Sequence, residues 1–130
     1  MNKRIIITAS ILGMLAVVTG AFGAHGLKAL ITAPQLEVWH TAVQYQFYHV
    51  FALLFLSTFG RFKNSTIVAS FYFFTFGIAL FSGSLYLMSC KDILGLSSNA
   101  IKIIGPVTPI GGLLFILGWL TLAFAALRHK

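Results

Sequence analysis

The densest polar chemistry in the chain lies in thirteen consecutive residues, Glu37-Val38-Trp39-His40-Thr41-Ala42-Val43-Gln44-Tyr45-Gln46-Phe47-Tyr48-His49. On a helix advancing about 100° per residue, Glu37, His40, Thr41, Gln44 and Tyr48 share one stripe, with Tyr45 and His49 at its edge. His49 stands about two turns inside an apolar run. A histidine there titrates near neutral pH and can pass protons or ligate a metal or haem iron. It can equally be a neutral strut, donating to a backbone carbonyl and packing against Tyr45, and Gln44 and Gln46 have the same second use as interhelical hydrogen-bonding groups. His25 follows a glycine-flanked helix end and could approach Glu37 or His40 to form an outer-edge site. No two histidines stand three to five residues apart, as local zinc pairs commonly do, so no metal is assigned. Gly111-Gly112, after Pro106 and Pro109, could open a helix that receives an anion at its N-terminus. A simple turn into a helix explains the same residues, because no basic side chain or phosphate-loop pattern accompanies them. Nothing resembles a nucleophile with its base, a carboxylate pair or a dinucleotide fingerprint, so no catalytic residue and no enzymatic activity is expected.

The elements that must carry these residues are membrane helices. Of 130 residues 58% are hydrophobic and 8% charged, and the mean hydropathy is +0.94, whereas soluble domains carry about 25% charged residues. A bilayer-spanning helix needs ~20 mostly apolar residues, which leaves room for about four spans and no separate soluble domain. The fold expected is therefore all-α: a polytopic membrane protein, one domain over residues 1–130, forming a four-transmembrane-helix bundle. The spans fall at about 5–24, 41–60, 66–89 and 107–127, with a loop and short interfacial helix between the first two. Pro34 suits the first turn of the helical segment after that loop. Thr108 and Pro109 suit the N-cap and first residue of the last span. The first span has the basic start and small-residue end of a signal peptide, yet its apolar run exceeds a usual h-region, and it is read as retained. Ala9, Gly13, Ala16, Gly20 and Ala24 recur three or four apart along it and form a close-packing seam; Ala79 and Gly83 suggest the same in the third span.

Nine Lys and Arg against two acids give a net charge of +7. In a soluble chain this would raise the question of nucleic acid. Here the cations sit at the ends of apolar runs, so no nucleic-acid partner is expected. Lys3, Arg4, Arg61, Lys63, Arg128 and Lys130 fall on one side and Lys28, Lys91 and Lys102 on the other, which places both termini in the cytoplasm. Arg61 to Ser65 read as a tight basic turn. Cys90 is the single cysteine, so no intramolecular disulfide can form.

Two stretches, Gly20-Ala21-Phe22-Gly23-Ala24-His25-Gly26-Leu27 and Trp39-His40-Thr41-Ala42 with Tyr45-Gln46 and Tyr48-His49, resemble a known family. Leu80-Phe81-Ser82-Gly83-Ser84-Leu85-Tyr86-Leu87, Gly105-Pro106, Thr108-Pro109-Ile110-Gly111-Gly112 and Gly118-Trp119 agree with it as well. The chain is similar, over nearly its whole length, to the YgdD / transmembrane protein 256 family, a domain of unknown function. The resemblance implies a small four-span protein of the bacterial inner membrane with a retained first span. It carries no activity and no site residues.

The sequence leaves three functional classes open. The first is a packing and association module, embedded in the lipid bilayer as a homo-oligomer or as an accessory subunit among other membrane proteins, with no cofactor. The second is an oligomeric transporter or proton-coupled permeability pathway lined by Glu37, His40, Gln44, Tyr48 and His49. The third is a subunit holding haem, quinone or metal near His25 and His49.

Overall fold

The computed structural model describes residues 1–59 and 64–128. The basic turn expected at Arg61 and Lys63, and the terminal His129 and Lys130, lie outside the described residues. Helix α1 runs Lys3–Ala24, α2 Ala33–Leu56, α3 Ser65–Gly77, α4 Gly83–Ser89, α5 Ser98–Ile104 and α6 Val107–Arg128. A π-helical turn, Ile78–Ser82, joins α3 to α4 without a break, and a 3-10 turn, Leu27–Ala29, follows α1.

Local chemistry sets several starts. Asn2 caps α1, its side-chain oxygen accepting from the backbone of Arg4 and Ile5. Thr32 and Gln35 form a reciprocal capping box on α2, with Pro34 in the first turn as its sequence suggests. Asn64 and Ser97 cap α3 and α5.

Three helical stretches, Lys3–Ala29, Ser65–Ser89 and Ser98–Arg128, are long and apolar enough to cross a membrane. The fourth long helix, α2, is 24 residues long; its glutamines, histidines and acid lower its hydropathy below theirs. The molecule is an all-α, multi-span helical bundle. α1 packs on α2, α3 on α6, and α4 returns to α2. Between them lies a core that includes Ile5, Leu53, Leu56, Phe71, Phe74, Phe115 and Leu122.

Two local expectations change. Between the first two long helices the only separate helical element among the described residues is the 3-10 turn Leu27–Ala29, because the capping box at Thr32 starts α2 and residues 33–40 are its first two turns. A short helix occurs instead in the connection before the last long helix, as α5. Thr108 is not an N-cap: α6 begins at Val107, and the Thr108 hydroxyl lies 2.6 Å from that of Ser84.

Packing glycines also differ from expectation. Gly13 and Gly20 face Val50 and Val43 across the α1–α2 seam, with a Cβ at either meeting a valine methyl at 3.3 and 3.5 Å. Ala24 is exposed, and the seam ends on buried Gly23, one residue earlier. A Cβ at Gly23 would fall 2.6 Å from the Trp39 ring. A Cβ at Gly83 meets nothing within 4 Å, so that residue is no packing contact. The close approach on this side belongs to Gly77, Gly111 and Gly118, set against Phe115, the Phe81 backbone and Phe74.

Candidate functional site

Helix α2 carries polar groups on two faces, and the bundle absorbs only one of them. On the inner face, Trp39 lies over Gly23 and donates its indole N–H to the Thr19 carbonyl at 2.8 Å. One and two turns further, Ala42 and Gln46 are buried; the Ala42 carbonyl accepts from Ser82 Oγ at 2.7 Å. Gln46 donates to the Leu12 carbonyl at 2.8 Å and accepts from the Tyr86 hydroxyl at 2.6 Å. Thr19 Oγ1 stands 3.1 Å from the same hydroxyl. One glutamine thus ties α1, α2 and α4 together.

His49 closes the series on the side of α6. It is 4% exposed and stacks on Phe115 with ring centroids 3.5 Å apart. Its Nδ1 lies 2.7 Å from the Tyr45 carbonyl oxygen, which can only accept. Its Nε2 receives the Trp119 indole N–H at 3.1 Å. Carbonyl and indole together assign the proton to Nδ1 and leave a neutral ring with both nitrogens engaged. This is the strut geometry, and it leaves Nε2 without a free lone pair for an iron or a travelling proton. Among the described residues no buried side-chain nitrogen or oxygen lacks a hydrogen-bond partner.

The stripe that the sequence offers as the lining of a pathway lies on the outer side of α2. Glu37, His40, Gln44, Tyr45 and Tyr48 are exposed on the outside of α2, and Thr41 is half-buried. The cause is the phase set by Trp39 over Gly23. Once Trp39, Ala42, Gln46 and His49 point inward, residues between them in the helical rotation must point out. Of the candidate residues, only His49 joins the interior.

The outer-edge site does not assemble. His25 ends α1 through its backbone N–H, which donates to the Ala21 carbonyl, and its side chain is exposed. Among the described residues no three His, Cys, Asp or Glu side chains come together as metal ligands. Glu37 forms no pair with either histidine there; the other acid, Asp92, accepts from Gln35 Nε2 at 2.6 Å and ties the α2 start to the connection after α4. Gly111 lies inside α6 against Phe81, so Gly111-Gly112 open no anion-binding helix end.

Sequence reading missed a lateral groove between α2 and α6, of about 820 Å³, whose walls include Tyr45, Tyr48, His49, Phe81, Phe115 and Trp119. Its floor comes from the π-helical turn, which presents Phe81 at 4.7 Å from the Tyr45 ring and 5.3 Å from Phe115. The wide turn leaves no periodic mark in the sequence, so no pattern announced the groove.

The family described as "Protein of unknown function (DUF423)" matches residues 19–112, a stretch that holds the Trp39–His49 segment and most of the groove. UPF0382 membrane protein YwdK of Bacillus subtilis is 42% identical over 130 residues, covering 98% of each chain. UPF0382 membrane proteins SSP2132 of Staphylococcus saprophyticus and SERP0230 of Staphylococcus epidermidis are 41% and 39% identical over 126 residues. They cover 97% of this chain and 98% and 97% of their own. No solved structure matches. With apolar helices that cross a membrane and relatives aligned nearly end to end, the chain belongs to the DUF423 family of multi-pass membrane proteins of unknown function.

Proposed function

We propose that the chain is a four-span module of the bacterial inner membrane, both termini cytoplasmic, whose work is lateral association and not catalysis. It meets either its own copy or a larger membrane complex that it serves as an accessory subunit. The observation that carries this reading is the division of α2. Its inner polar groups are fully engaged inside the bundle, while Gln44 and Tyr48 stand exposed at mid-helix, where lipid offers no hydrogen bonds. A fourth crossing is supported by the length of α2, about 36 Å at 1.5 Å per residue, and by its packing along α1. The orientation is supported by Lys3, Arg4 and Arg128 at the ends assigned to the cytoplasm.

Gentle extraction from the native membrane, followed by intact-particle mass and identification of whatever travels with the chain, tests the reading. A homo-oligomer or a reproducible foreign subunit is the expected result. A strictly monomeric particle in lipid, free of other proteins, would overturn it.

The groove favours one second reading, a binding or permeability role for a lipophilic ligand entering between α2 and α6. Tyr48→Phe removes a hydroxyl from its wall without touching the core. It should alter flux or ligand retention at constant protein level, and an unchanged value would dismiss this use of the groove.

A further inference from the structure

The outward stripe of α2 continues beyond its polar half. Glu37, Thr41, Gln44, Tyr48, Phe51 and Phe55 succeed one another at spacings of four, three, four, three and four residues, and Tyr48, Phe51 and Phe55 are 53%, 60% and 57% exposed. That is the 3.5-residue repeat of a helix seam that packs against a partner helix with a left-handed crossing. From Glu37 to Phe55 it extends about 27 Å, close to the ~30 Å of the hydrocarbon core. The Gln44 side chain, near its middle, is exposed and makes no hydrogen bond among the described residues.

The geometry points to a parallel homodimer in which α2 packs on α2 of a second copy along this seam, the two Gln44 amides bonding across the two-fold axis. The inference rests on the association reading above and names the partner. Three features select a second copy. A primary amide both donates and accepts, so glutamine complements itself, whereas a foreign helix would have to bring a matching group to the same depth. Copies inserted in one orientation are related by an axis along the membrane normal, which puts identical residues at identical depth. The Gln44 layer, followed along the seam by the aromatic Tyr48, Phe51 and Phe55, fixes register, as a buried amide does in coiled coils. Glu37 lies about two turns nearer the helix start, at the aqueous edge, where its carboxylate stays hydrated.

The test uses the full chain in native membranes, in a Cys90→Ser background that removes the single cysteine. Tyr48→Cys and Phe51→Cys should each give a disulfide-linked dimer on mild oxidation. Leu120→Cys, on the exposed side of α6, should not. In lipid nanodiscs Gln44→Leu should weaken self-association about tenfold and Gln44→Asn should recover part of it. Equal cross-linking at Leu120, or dimers indifferent to Gln44→Leu, would overturn the α2 seam while leaving an association module. Seam cysteines that link only to a foreign subunit would overturn the self-partner alone. Seam cysteines that link to nothing, in a monomeric particle, would overturn both.

Discussion

The bundle is held by two interfaces built on opposite principles. Between α1 and α2, small residues bring the backbones together and side chains then reach across to main-chain carbonyls: Trp39 to Thr19, Gln46 to Leu12. Between α3 and α6, aromatic rings sit in glycine notches, Phe74 on Gly118 and Phe115 on Gly77, with the Phe81 backbone on Gly111. Among the described residues one hydroxyl pair bridges α3 and α6, Ser70 to Thr121 at 2.7 Å. In lipid no hydrophobic drive brings helices together, so close van der Waals packing and interhelical hydrogen bonds are the available means. This chain uses each in a different half. Apart from Gly23, where a Cβ would meet the Trp39 ring at 2.6 Å, the polar half should tolerate small changes in volume better than loss of a donor; the steric half should show the reverse.

The largest effect is expected at Gly111. A Cβ there would collide with the Phe81 backbone nitrogen, a contact no side-chain rotation relieves. Gly111→Ala should lower stability by about 3 kcal/mol, read as tryptophan fluorescence during unfolding in mixed detergent, and a wild-type midpoint would dissolve the steric half of the contrast. Gly118→Ala presses on the Phe74 ring at 2.6 Å, and because a ring can yield where backbone cannot, about 2 kcal/mol is expected in the same assay.

The polar half should respond to Gln46→Leu, which keeps volume but strips Tyr86 and the Leu12 carbonyl of their partner. The expected loss is about 1 kcal/mol, and in a double-mutant cycle Tyr86→Phe should add less than its own single effect. Additive losses would mean the network does not act as one. The smallest effect sharpens the comparison from outside both interfaces. Gly83→Ala meets open space and should leave the midpoint unchanged or raise it by about 0.5 kcal/mol.

Much of the fold was legible because hydropathy reports directly on what lipid accepts. The apolar stretches at Ile5 to Ala24, Thr66 to Ser89 and Val107 to Leu127 all lie in helices long and apolar enough to cross. The start of α2 was half legible: Pro34 marked a first helical turn, but the mixed polar residues 33–40 read as separate from the apolar span they continue into. The α1 seam was legible through Gly20, since 3.6-residue periodicity survives in a regular helix, and it slipped by one residue at its end, where Gly23 and Ala24 are equally small. Gly83 could not be placed by extrapolation from Ala79, because the π-helical turn between Gly77 and Gly83 inserts an extra residue and rotates the face. The α2 stripe was found as a stripe, yet its direction was not encoded locally. It depends on Trp39 meeting Gly23 on another helix, and a helix with polar groups on both sides gives no periodic clue to which side is in.

The π-helical turn lets one crossing act as two. Before it, Ile67, Ser70, Phe71 and Phe74 share a face with Gly77, directed to α6; Ser82 at its end and Tyr86 beyond it meet α2. A regular helix would keep a single azimuth along its length and could serve both neighbours only by tilting. The widened turn is a dislocation of about one residue, or some 100° of rotation. It makes the continuous α3–α4 helix a swivelled strut that packs on α6 with its α3 half and on α2 with its α4 half. The chain closes its bundle without a further helix along the seam between the two pairs.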